Sequence, residues 1–183
     1  DRLDFYAEVE GKSGNLSFLA GLRYESTDFS VNDLTVAPAL AEQSNDYSFL
    51  LPSASLKVEL ENGGRITASV ARTNRRPRLD FLSPALLEAE LGDNDLLGNP
   101  ALRPETAWGG DLGYEHRIGR TGVVGVNLFY RKVNDLIELA NTGVEGSEGP
   151  GTFVLQPQNA GDGKVYGIEF DLSTNLGFLG LDN

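Results

Sequence analysis

Ala54-Ser55-Leu56-Lys57-Val58-Glu59-Leu60-Glu61-Asn62-Gly63-Gly64-Arg65-Ile66-Thr67-Ala68-Ser69-Val70 is the stretch on which the fold turns. Ala54, Leu56, Val58 and Leu60 alternate with Ser55, Lys57 and Glu59. Beyond the glycines, Ile66, Ala68 and Val70 alternate with Arg65, Thr67 and Ser69. A period of two puts successive side chains on opposite faces of an extended chain. Gly63-Gly64 supplies the positive φ that a tight hairpin needs. The stretch is therefore a β-hairpin with one apolar and one polar, charged face.

The same grammar runs outward in both directions. Leu3, Phe5, Ala7 and Val9 lead through Gly11-Lys12-Ser13-Gly14 into Leu16, Phe18, Ala20, Leu22 and Tyr24. Trp108, Gly110, Leu112 and Tyr114 lead through Ile118-Gly119-Arg120-Thr121-Gly122 into Val124, Val126, Leu128 and Tyr130, a run made less clean by Phe129 on its polar side. Tyr166, Ile168, Phe170 and Leu172 form a seventh run, and Gly177 and Gly180 suggest a further turn or a truncation. The other connections, roughly 27–45, 77–103 and 138–161, exceed the dozen or so residues usual in a compact domain. Short and long connections alternate, so the short turns share one rim of the sheet and the long loops the other. Strands of about ten residues match the ~9–11 that cross a bilayer when tilted, against ~5–6 in soluble sheets. The expected fold is all-β, an antiparallel up-and-down meander forming part of a transmembrane β-barrel, with short periplasmic turns and long extracellular loops. A soluble β-sandwich acting as a carbohydrate- or ligand-binding module is the alternative, because it also buries one face of alternating strands.

Composition narrows the chemistry. The chain has 183 residues and a formal net charge of −12, with a sequence pI near 4.4, which is unsuited to nucleic acid. It has no Cys and a single histidine, His116, which excludes thiolate and multi-histidine metal sites and disulfides. His116 sits near a short turn and is expected to be an exposed or lumenal strand residue. Scattered serines around one histidine make a hydrolytic triad, and so an outer-membrane enzyme barrel, a weak reading. No apolar run reaches the ~18 residues of a membrane helix. There is no Met, and the first strand begins at once, which suggests a piece of a longer protein whose upstream signal is not seen.

Two groups of residues carry a family resemblance. One is Arg72-Thr73-Asn74-Arg75-Arg76-Pro77, Leu82-Ser83-Pro84 and Gly98-Asn99-Pro100-Ala101-Leu102-Arg103-Pro104-Glu105-Thr106, which runs into Gly110-Asp111-Leu112-Gly113-Tyr114-Glu115. The other is Leu128-Phe129-Tyr130-Arg131-Lys132-Val133-Asn134-Asp135-Leu136-Ile137, with Asn159-Ala160-Gly161 and Val165-Tyr166-Gly167-Ile168-Glu169. In this order, over about residues 45–176, they resemble the transmembrane barrel of TonB-dependent outer-membrane receptors. The motif residues Asn99, Pro100, Leu102, Pro104, Glu105, Gly167 and Glu169 have a structural reading of their own. Pro100 and Pro104 cannot donate ladder bonds and hold the preceding residues extended, and Gly167 permits a bulge or close backbone approach.

The resemblance implies a segment of a gated import port in the outer membrane of a Gram-negative bacterium. Its cargo would be a scarce ligand such as a siderophore, haem, cobalamin or glycan. Implied partners are membrane lipid and lipopolysaccharide, a plug domain, a TonB-type energy transducer and the small-molecule or glycan ligand. No enzyme activity, cofactor or resident metal is implied. Residues 1–183 read as a partial barrel domain in which no plug, TonB box or terminal barrel strand is recognised.

Candidate ligand contacts lie at the second long connection and in the last. Arg72, Arg75, Arg76 and Arg78 form the dense basic cluster of an acidic chain, and guanidinium forks match carboxylates bidentately. Pairing with nearby wall carboxylates, or contact with lipopolysaccharide phosphates, is the plainer account. Phe81 and Phe153 are candidates for stacking on a sugar. The acidic stretch 88–99, with Glu90, Asp93, Asn94 and Asp95, lacks the glycine and terminal glutamate of a calcium loop and reads as a solvated surface. Residues 82–97 are rich enough in Leu, Ala and Glu for a short helix with Pro84 near its start. Trp108, Tyr114, Tyr130, Tyr24, Tyr47 and Phe49 are candidates for interfacial aromatic belts.

Overall fold

The computed structural model describes residues 1–33, 36, 41–119 and 122–174. The expected turn at Gly177 and Gly180 and the chain end at 181–183 lie outside the described residues. In chain order the elements are β1 (Arg2–Ser13), β2 (Leu16–Asn32), β3 (Glu42–Glu59), β4 (Gly64–Arg75), α1 (Leu79–Leu82), β5 (Leu86–Leu87), β6 (Asp95–Leu97), β7 (Glu105–Ile118), β8 (Gly122–Glu145) and β9 (Phe153–Ser173). They form one sheet in the order β1-β2-β3-β4-β7-β8-β9-β6-β5. The seven long strands make an antiparallel meander. Only the two-residue contact of β6 with β9 is parallel.

Register carries the alternation across the whole sheet. Val9, Ala20, Ala54, Val70, Gly110, Tyr130 and Tyr166 are successive cross-strand partners in a single row. A neighbouring row runs Phe18, Leu56, Ala68, Leu112, Leu128 and Ile168. Because the side-chain period is two, a slip of one residue in any strand would break both rows. The apolar face is bare: Phe5, Val70, Leu112, Tyr130, Ile168 and Phe170 are all exposed. Leu82, Leu102 and Val154 are buried instead at the long-loop rim. Among the described residues no second sheet covers the apolar face, so the architecture is one layer and not a sandwich.

The opposite face is polar and internally paired. Arg131 shares its Nη2 between both oxygens of Asp111, each at 2.9 Å, and the Ser69 hydroxyl donates to the same carboxylate at 3.2 Å. Arg65 reaches Glu59 at 3.0 Å and Glu115 at 3.5 Å. Phe129, out of pattern in the sequence, lies over Gly167, where an added Cβ would meet its ring at 2.8 Å. The missing side chain of Gly167 is the seat for that ring. His116 falls on the apolar face near the short-turn rim, its ring stacked with that of Tyr114 at 6.3 Å between centroids.

Three expectations are corrected. Strands β2 and β3 stay paired from Thr27↔Tyr47 to Asn32↔Glu42, and β8 and β9 stay paired out to Glu145↔Phe153. The connections expected over 27–45 and 138–161 are thus largely strand. The expected helix over 82–97 does not form. Helix α1 stops at Leu82, before Ser83 turns extended at φ −73°, ψ 124°, as a residue preceding proline prefers. After it come β5, β6 and turns.

Substituting Gly167→Ala should push the Phe129 ring off its seat and destabilise the barrel that carries this wall by about 1–3 kcal/mol. Adding Phe129→Ala should recover part of that loss in urea unfolding from micelles. Equal midpoints for the parent and the single variant would contradict the seat.

Candidate functional site

Glu25 lies within β2 at the level where β1 begins and β4 ends. Its side chain is almost fully buried. It accepts from Arg23 at 2.7 Å, Arg76 at 2.5 Å and Asn74 at 3.1 Å, with Arg2 at 3.7 Å. Three guanidinium groups thus converge on one carboxylate, which fixes the point where the chain leaves β4.

The segment after β4 is clasped onto its neighbours by side-chain amides and short backbone contacts. The Asn99 amide donates to the Pro157 carbonyl at 3.1 Å, and its carbonyl accepts from the Ala101 N–H at 3.0 Å. Asn159 accepts from the Arg103 N–H at 3.0 Å and donates back to the Arg103 carbonyl at 2.9 Å. Asn45 donates to the Pro100 and Leu102 carbonyls, each at 3.1 Å. Leu102 is completely buried beneath this mesh. Gly98 passes so close to the 83–98 crossing that an added Cβ would lie 2.0 Å from the Ser83 carbonyl oxygen. Glu105 receives Arg75 at 2.6 Å and the Ile137 N–H at 2.8 Å, which joins β7 to β8.

Asp95 belongs to this clasp and not to a solvated surface, which corrects the reading of the acidic stretch. It is 1 % exposed. Its carboxylate accepts from the Ala89 N–H at 3.0 Å, the Ser147 N–H at 2.7 Å and the Ser147 hydroxyl at 2.9 Å. The Asn94 carbonyl takes the Phe153 N–H at 2.8 Å alongside. The N–H of Ala89 and then that of Ser147 hold the Asp95 carboxyl below its ordinary value of 3.8.

The four arginines do not meet. Arg72 lies on the apolar face and donates to the Leu50 carbonyl at 3.3 Å. Arg75 and Arg76 are held by Glu105 and Glu25. Arg78 forks onto Asp80 and sits over the Phe81 ring at 5.0 Å. Arg75 and Arg78 each remain 72 % exposed. Phe153, exposed at the start of β9, stands by Asn94. An open trough of about 630 Å³ lies elsewhere, on the polar face towards the short turns, between Glu10, Lys12, Ser55, Lys57 and Asp111. Sequence reasoning missed Glu25, Asn45 and Ser147, because a buried acceptor and an exposed one look alike until the fold brings donors to it.

Comparison with known proteins places this geometry. The family model described as TonB dependent receptor-like, beta-barrel matches residues 1–183. Among solved structures, the FrpB iron transporter from Neisseria meningitidis (F3-3 variant) is similar at 20% identity and a TM-score of 0.66, over 96% of this chain and 24% of that one. The siderophore receptor PirA from Pseudomonas aeruginosa is similar at 20% identity and 0.65, over 96% and 40%. The Serratia marcescens hemophore receptor HasR, a double mutant in complex with its hemophore HasA and heme, is similar at 18% identity and 0.68, over 93% and 31%. The chain spans between a quarter and two fifths of the length of these three.

A depressed carboxyl stabilises the fold above its unfolded value and loses that contribution as pH falls through the folded one. The clasp should therefore open below about pH 3.8. Hydrogen–deuterium exchange at the Ser147 N–H, relative to its intrinsic rate at each pH, should rise steeply there. At neutral pH, Asp95→Asn and Gly98→Ala should each raise cleavage after Glu145 and Glu148 by a glutamyl protease severalfold. Cleavage unchanged in both variants would show that the clasp does not hold the turn.

Proposed function

The chain belongs to the TonB-dependent receptor β-barrel family, and from that premise we propose that it forms part of the wall of an outer-membrane import port. Family members are receptors and transporters of the Gram-negative outer membrane. The port takes up a scarce ligand of the siderophore, haem, cobalamin or glycan class, driven by a TonB-type transducer acting on a plug domain elsewhere in the full protein. It performs no catalysis. The observation that carries the proposal is the pair of neighbouring apolar rows that run across seven and six paired strands, with ion pairs on the other face. A lipid-facing wall around a wet lumen needs that pairing of faces.

On this reading the short turns, including Gly63 with φ 78°, face the periplasm and the clasped rim faces the medium. Strand β8 has 24 residues, about 80 Å at ~3.3 Å per residue. Only ~9–11 residues are needed to cross the bilayer, so the rest stands above it as a palisade. Ligand contact at that rim falls to the exposed Arg75 and Arg78, with Phe81 and Phe153. Arg76 and Arg72 are turned to Glu25 and to the apolar face.

The test is uptake by cells lacking the full-length receptor, using radiolabelled ferric siderophores, haem, cobalamin and an oligosaccharide as separate probes. Uptake of one class should vanish on deletion and on collapse of the proton-motive force, and return with the wild-type gene. Arg75→Ala combined with Arg78→Ala should weaken that uptake about tenfold, which corresponds to ~1.4 kcal/mol. If no class depends on the receptor, the import reading falls.

A further inference from the structure

The chain carries 27 Asp and Glu against 15 Lys and Arg, so a cation without a carboxylate partner is unexpected. Among the described residues nine Lys and Arg side chains lie in ion pairs. Of the five that do not, three fall in one register row. Arg72 is opposite Trp108, Trp108 opposite Lys132, and Lys132 opposite Lys164. All four share the parity of Val70, Gly110, Tyr130 and Tyr166, so the row is on the apolar face. The other two, Lys12 and Arg117, lie by the short turns.

Among the described residues no carboxylate forms an ion pair with the row. One step towards the short turns stand Val70, Gly110, Tyr130 and Tyr166, the two tyrosine rings stacked 6.5 Å apart. One step the other way stand Asn74, Thr106 and Asn134, and on β9 Asp162, whose carboxylate accepts from the Asp135 N–H at 3.4 Å. Like charges directly opposite on neighbouring strands repel, yet Lys132 and Lys164 are so placed, and both are exposed. Trp108, the single tryptophan, is 44 % exposed between the cations.

Position in depth selects the missing anion. Lys164 to Leu172 is nine residues of β9, within the ~9–11 that a tilted strand uses to cross the bilayer. Tyr114 and His116 mark the far end of that span and Trp108, Tyr130 and Tyr166 the near end, as aromatic rings do at headgroup level. Just beyond the row the β8–β9 ladder is interrupted after Val133, and Asp135 takes a φ of 57°. The cations thus stand where apolar wall gives way to water. At ~4.8 Å per strand the row is about 14 Å long, enough for more than one phosphate.

We infer that Arg72, Lys132 and Lys164, with Trp108 among them, form an external binding site for the phosphates of an outer-leaflet glycolipid, lipopolysaccharide. Ammonium and guanidinium groups donate charge-assisted bonds to phosphate oxygens, an anion between Lys132 and Lys164 relieves their repulsion, and Trp108 packs on the sugar or acyl junction. The choice of leaflet rests on the orientation in the proposed function; the anion site does not.

The test uses the full-length receptor extracted from outer membranes in mild detergent, with bound lipids counted by native mass spectrometry. The probes are Lys132→Gln combined with Lys164→Gln, and Lys12→Gln combined with Arg117→Gln as a control of equal charge at the opposite rim. Heat-modifiable gel mobility establishes that each is folded, and Arg72→Gln serves if the first pair is not. Lipopolysaccharide retention should fall at least fivefold in the row variant and stay unchanged in the control. Equal retention in all forms overturns the site. Row-dependent retention of phosphatidylglycerol in place of lipopolysaccharide overturns the leaflet and with it the orientation. Row-dependent lipopolysaccharide alongside no receptor-dependent uptake would sink the import reading alone.

Discussion

A chain crossing hydrocarbon must satisfy every backbone N–H and C=O within itself, since no water is there to bond them. Strands meet that requirement only by pairing along their whole length. The long registers of this sheet follow from it: seventeen consecutive partners between Leu16↔Val58 and Asn32↔Glu42, and thirteen between Thr106↔Asn134 and Ile118↔Gly122. Once the ladder is continuous, period two sorts the side chains without further choice. Within the apolar band lipid-compatible residues take one face, and charges are left to the other, where Asp111–Arg131 and Glu59–Arg65–Glu115 pair; Arg72, Lys132 and Lys164 stand at the edge of that band.

At the long-loop rim the constraint relaxes and a different economy appears. Water is present, so the chain can leave the ladder, but each departure must still satisfy buried polar groups. Asn99, Asn159, Asn45 and Asp95 do this by lending side-chain acceptors and donors to backbone groups that have no strand partner. Pro100 and Pro104 reduce the number of N–H groups needing a partner, and Gly98 lets two backbones cross. The residues that resemble the family motif are thus ones whose contacts here are made with the chain itself.

The wall was legible in the sequence wherever its two sides face different solvents. Leu56, Val58, Ile66 and Val70 declare a face because lipid lies on one side and water on the other. Above the membrane both faces are wet, and the phase inverts there: Phe29 and Val31 take the face of Glu25 while Asp28, Ser30 and Asn32 continue that of Tyr24, so the sequence reads as a connection from Thr27. The helix expected over 82–97 failed for a related reason. Its composition favours a helix, but Pro84, the 83–98 crossing and the capture of the Ala89 N–H by Asp95 are tertiary demands that propensity does not contain. The basic cluster was visible as charge, while its division among Glu25, Glu105, Asp80 and the apolar face required the register.

The account rests on the apolar face being the lipid face, and spin labels placed one at a time at Tyr166 and from Ile168 to Leu172 of β9 in the full receptor, reconstituted in bilayers, test that most directly. Collision rates with oxygen should peak at Tyr166, Ile168, Phe170 and Leu172, while a water-soluble relaxer should reach Glu169 and Asp171. A profile without period two, or one with the phases exchanged, would contradict it.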